Sequence, residues 1–111
     1  MERIRCFYIR FMEELILPKL KLKVEDAVHR YLTGQGTDRE FKASIRAILE
    51  EFEGKRLLHQ NIGQLVWECE KKNALQKNKF EKIWILLEQV SPQIIADFNR
   101  RMRRSKSAKP T

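Results

Sequence analysis

The strongest constraint on this chain is the spacing of its helix-start and helix-stop signals, which divide 111 residues into stretches each suited to one helix. At 37–41 the stretch TDREF sets Thr37 three residues before Glu40. In that arrangement the threonine hydroxyl accepts from the backbone N–H of Glu40, and the glutamate carboxylate returns to the N–H of Thr37. A helix is predicted to begin there, to bury Phe41, Ile45, Ile48, Leu49 and Phe52, and to stop at Gly54, since glycine adopts the left-handed conformation that closes a helix. Ser91 and Pro92 mark a second start, because serine caps well and proline at the first helical position loses no hydrogen bond.

The same logic reads the remaining segments. Pro18 and Gly34 bracket PKLKLKVEDAVHRYLTG, in which Leu20, Leu22 and Val24 alternate as in a strand while Leu20, Val24, Ala27, Val28, Tyr31 and Leu32 recur as in a helix. The terminal signals favour the helix. A further helix over about 57–72 turns Leu58, Ile62, Leu65, Val66 and Cys69 inward and is weakened by Gly63. The next, about 75–90, contains KIWILL, apolar on every side from Ile83 to Leu87, as suits the central helix of a bundle. The last places Ile94, Ile95, Phe98 and Met102 inward and is expected to end near Arg104.

Residues 2–17 repeat Ile4, Phe7, Tyr8, Phe11 and Leu15, with Ile9, Met12 and Ile16 alongside. At 100° per residue this arc spans roughly 200°, wider than the ~100° of an ordinary surface helix. Such a helix needs cover on two sides, so it is expected to lie centrally or to serve self-association or partner docking through Phe7, Tyr8, Phe11 and Met12. The expected fold is all-α. It is a single compact bundle of five to six helices over 1–104, followed by a short basic disordered tail at 105–111. Four glycines and three prolines among 34% charged residues agree with that class.

The net charge of +8 is unevenly placed. Residues 1–99 carry seventeen Lys or Arg against all fifteen carboxylates, a net of +2, and Arg100, Arg101, Arg103, Arg104, Lys106 and Lys109 supply the other six. Cations near a helix C-terminus gain ~0.3–1 kcal/mol each from the macrodipole, an effect confined to the last turn. One or two arginines have that structural use; six point to a polyanion. Two further basic clusters are Lys19, Lys21 and Lys23, and Lys71, Lys72, Lys77, Lys79 and Lys82; the latter lies beside Trp67 and Trp84, aromatic side chains that suit either stacking on single-stranded bases or core packing.

Catalysis and metal binding lack a motif. His29 and His59 stand thirty residues apart, and neither belongs to a recognisable general-base or nucleophile motif. TGQGTD matches no phosphate-cradling loop and reads as a turn. Cys6 and Cys69 form no CxxC pair and are expected to be reduced small apolar residues. The N-terminal stretch is charged throughout, as neither a secretory leader nor a membrane span is, and Glu2 follows the initial methionine where a myristoylated chain has glycine. The expected protein has no cofactor or metal, no catalytic role and no membrane span, is not secreted, and is cytoplasmic or nuclear. It is expected to act as a small subunit or adaptor that contacts RNA or DNA phosphates largely independently of sequence within a nucleoprotein assembly. The alternative is a protein-protein interaction module, by helix-in-groove docking or oligomerisation, whose tail serves targeting or solubility.

Overall fold

The computed structural model describes residues 18–107, with side chains to Arg103. The helix expected over 2–17, with Phe7, Tyr8, Phe11 and Met12, lies outside the described residues, as does Lys109. Among the described residues the fold is all-α: α1 at 18–32, α2 at Asp38–Glu51, α3 at Leu58–Lys72, a 3-10 turn at Ala74–Gln76, α4 at Lys77–Val90 and α5 at Pro92–Ser107. There is no strand among them.

The ambiguous segment after Pro18 is helical. Leu20 and Val24 are buried while Leu22, which a strand would place beside them, is 69% exposed. Ala27, Val28 and Leu32 continue the buried stripe. The stop comes where expected: Gly34 takes φ +77°, and the N–H groups of Gln35 and Gly36 both donate to the Arg30 carbonyl, at 2.9 and 3.2 Å. Left-handed backbone at low cost is what glycine supplies here.

Thr37 caps α2, its hydroxyl accepting from the Glu40 N–H at 3.2 Å. The reciprocal half differs from expectation. The Glu40 carboxylate meets the Thr37 hydroxyl at 3.3 Å rather than its backbone N–H. Phe41, Ile45, Ile48 and Phe52 are buried as predicted, and Gly54 at φ +83° follows the helix.

Helix α3 begins without a side-chain cap, on Leu57 at φ 58°. Leu58, Ile62, Gly63 and Val66 form its buried face. Gly63, read from sequence as a weakness, marks the crossing of α3 with α5: a Cβ added there would stand 2.7 Å from the Phe98 Cβ. Only glycine lets the two helices approach this closely. Helix α4 packs on α2 and α5, burying Phe80, Ile83, Leu86 and Leu87. KIWILL is not enclosed on every side as the expectation had it, because Ile85 is 50% exposed and Trp84 half-buried. Ser91 turns the chain, its N–H donating to the Leu87 carbonyl at 2.9 Å and its carbonyl accepting from Ile94 at 3.1 Å. Helix α5 then buries Ile94 and Phe98 and stays helical through Ser107, three residues past the expected end at Arg104. One core, built from all five helices, runs through the described residues.

Candidate functional site

Two regions of the bundle carry side chains that its packing does not absorb. The first is the C-terminal half of α5. Met102 is the last apolar position of the helix, and residues 103–107 read Arg, Arg, Ser, Lys, Ser. Arg100, Arg101 and Arg103 are exposed. At 100° per residue, positions 100, 103, 104 and 107 fall within a stripe of about 100° on one side of the helix, with 101 and 106 on either flank. The side chains of Arg104 and Lys106 lie beyond those described.

The lysine cluster fares differently from its sequence reading. Lys71, Lys72 and Lys77 are exposed. Lys71 holds its ammonium 3.7 Å from the centre of the Trp67 ring, a cation–π contact one turn along α3. Lys79 donates to the Leu32 carbonyl at 2.7 Å, which sets its charge on the last turn of α1. That ammonium satisfies an orphan carbonyl and meets the negative end of the helix dipole. Lys79 is therefore a fastening between α1 and α4, while remaining exposed as Lys72 and Lys77 are. Lys82 performs a related task, standing 3.5 Å from Asp38. The other Asp38 oxygen accepts from the Tyr31 hydroxyl at 2.7 Å. Burial first, and then the bond to Asp38, push the Tyr31 phenol up to about 12, while the same bond leads the causes that hold the Asp38 carboxyl below its ordinary value.

The second region is a groove of about 360 Å³ between α3, α4 and α5, walled by Trp67, Trp84, Ile85, Ile95 and Phe98 and edged by Glu70, Glu88 and Asn99. The aromatic rings support one another. Trp84 stacks on Phe98 at 5.4 Å and 23°, and Trp67 tilts against Phe98 at 6.2 Å and 50°. The Trp84 indole N–H donates to Glu70 at 3.3 Å. Both tryptophans are half-buried, packing on Phe98 and lining the groove. The juxtaposition of Glu70, Glu88 and Phe98 with the tryptophans depends on three separate helices and has no signal in local sequence.

A larger cleft of about 660 Å³ separates α1 from α2, lined by Lys23, Asp26, Ser44, Glu50 and Glu51 among others. Lys23 and Glu51 pair across it. Cys69 is a free, half-buried thiol pushed up chiefly by burial, with Glu25 and Glu68 adding to the rise. His29 is exposed and His59 half-buried. Among the described residues no group of carboxylates, histidines and cysteines is placed to hold a metal ion, and no helix is long and apolar enough to cross a membrane. No protein-family model, curated protein or solved structure matches the chain.

Proposed function

We propose that the protein is a small non-catalytic helical subunit that neutralises nucleic-acid phosphates with the C-terminal end of α5, within a larger nucleoprotein assembly. The observation that carries this reading is the concentration of six cations in the last twelve residues, five of them on a helix that continues past its last apolar position. A helical cationic stripe is more ordered than a coil, so phosphate contact there costs less conformational entropy. Lys72 and Lys77 are accessory cations, and Lys79, also exposed, is already bonded to the Leu32 carbonyl. The walls of the tryptophan groove bear carboxylates, which repel phosphate, so the reading rests on charge and not on base stacking. Contact of this kind is indifferent to sequence and to the choice of RNA or DNA.

The test is a salt titration of binding to a fluorescent single-stranded oligonucleotide and a duplex. With six phosphates engaged, log affinity falls against log salt with a slope of at most about −5. Replacing Arg100, Arg101, Arg104 and Lys106 by Gln keeps helix propensity and removes four cations, so the slope shrinks by about 3 to 4. An unchanged slope and affinity in that variant would refute the assignment to α5.

The tryptophan groove favours a second reading, that of a protein-protein interaction module. It is apolar, partly open and lined by large aromatic side chains, the composition of a docking site.

A further inference from the structure

The groove also has a charge, and that charge selects a partner. Glu70 and Glu88 flank its walls, and neither is neutralised by a lysine or arginine among the described residues. Glu70 accepts only from the neutral Trp84 indole, and the exposed Glu88 makes no hydrogen bond or ion pair among them. Among the described residues Glu25, Glu51, Asp26 and Asp38 each pair with a basic side chain, and Glu40, Glu50, Glu53, Glu68, Glu81 and Asp97 do not; Glu70 and Glu88 differ from these in edging an aromatic groove. Lys71, on the same turn as Glu70, sits over the Trp67 ring instead of pairing with either groove carboxylate. That contact also shows an ammonium resting against this wall.

The shape restricts the partner further. Among the described residues there is no sheet and hence no open strand edge, so an extended peptide would find no ladder for its backbone N–H and C=O groups. A helix satisfies its own backbone and presents side chains alone. We infer that the groove between α3, α4 and α5 receives an amphipathic helix of a partner protein, whose apolar side chains seat between Trp84, Ile85 and Ile95 while flanking Arg or Lys pair with Glu70 and Glu88. This rests on the docking reading of the groove. The two carboxylates set specificity and orientation more than affinity, which comes from the aromatic walls.

The chain has two tryptophans, Trp67 and Trp84, both in this groove, so the intrinsic emission of the intact protein reports on it alone. The probes are three tryptophan-free helical peptides: one with a Leu/Phe face flanked by Arg, the same peptide with Glu for Arg, and the basic peptide in scrambled order. The basic peptide is expected to shift emission to the blue with a micromolar dissociation constant, with the acidic and scrambled peptides at least about tenfold weaker. Glu88→Lys should weaken the basic peptide about tenfold and strengthen the acidic one, while Ile85→Asp, at a position already half in solvent, should abolish both with the dichroism spectrum unchanged.

Other results overturn the inference in distinguishable ways. Equal binding of basic and acidic peptides, lost in Ile85→Asp, leaves the docking site and removes its charge preference. No binding by any peptide at millimolar concentration removes both. Equal binding of the scrambled peptide makes the effect charge adsorption. Emission already blue-shifted in a monomer and moved by Phe11→Asp assigns the groove to the chain's own residues 1–17. Emission that depends on protein concentration, with a dimer in sedimentation, assigns it to a second copy.

Discussion

Single residues in this bundle carry structural tasks that their type alone does not announce. Tyr31 and Asp38 join α1 to the first turn of α2, and Lys82 brings α4 to the same carboxylate. Because the Asp38 carboxyl is held below its ordinary value, its contribution to stability is present above the unfolded carboxyl pKa of about 4 and is lost as pH falls through the lower folded value. The phenol behaves in the opposite sense. Raised to about 12, Tyr31 contributes below the unfolded value of about 10 and loses that contribution as pH rises toward its folded one. Denaturant midpoints of Asp38→Asn and wild type should therefore differ at neutral pH and converge below about pH 4, whereas those of Tyr31→Phe and wild type should converge only above about pH 10. Parallel curves across both ranges would show that the pair contributes nothing. Leu57 poses a different case. It holds φ 58° at the N-cap of α3 with 52% of its surface exposed, and left-handed backbone costs a residue with a Cβ roughly 1–2 kcal/mol. Asparagine tolerates that conformation and exposes no apolar surface, so Leu57→Asn should raise stability by about 0.5–1 kcal/mol in chemical denaturation.

At the scale of elements, the decisive contact is the crossing of α3 and α5. Alanine in place of Gly63 gains up to about 1 kcal/mol of helix propensity, but its methyl would meet the Phe98 Cβ at 2.7 Å. That Cβ is fixed to the α5 backbone and cannot swing aside. Gly63→Ala should therefore destabilise by about 1–3 kcal/mol despite the better helix former, as overpacked cores do. A stabilised variant would mean that α3 and α5 separate freely. The contrast with Thr37 explains what was legible in the sequence. A threonine cap, a Ser-Pro start and a glycine stop each act within four residues, and all three helix boundaries were readable; the return bond of Glu40 to the Thr37 N–H is not formed. The Gly63 crossing, the Lys79 bond to a carbonyl on α1 and the grouping of Trp67, Trp84 and Phe98 join residues far apart in the chain, so no local spacing encodes them. The candidate cations were readable because charge is a property of composition. Which of them were already engaged was not, and Lys79 is the instance. Lys79→Gln should thus lower stability by about 0.5–1 kcal/mol through the lost charge on the α1 terminus while leaving the salt slope of nucleic-acid binding unchanged.

For the molecule as a whole, charge and core are nearly separate. The core is apolar, with no buried polar or charged residue among those described, and the ion pairs on it are exposed on both sides. Exposed pairs contribute about 0–1 kcal/mol each and weaken with salt. Crowding of six cations within twelve residues at the C-terminal end acts in the other direction, since salt relieves like-charge repulsion. The two effects oppose each other, so folding should respond weakly to ionic strength. Binding through the same cations has no such compensation, because every phosphate neutralised releases counterions. Between about 50 and 200 mM salt, affinity for a nucleic acid should drop about a thousandfold, the consequence of a slope near −5, while the thermal midpoint stays within about 3 °C. Calorimetry and a binding titration on one preparation measure both. If the midpoint moves by 10 °C or more over that range, the cationic end is part of the folding energetics and the arginines of α5 hold the bundle together. If the midpoint holds and affinity also fails to respond, the phosphates are not the partner, and the aromatic groove becomes the functional surface of the protein.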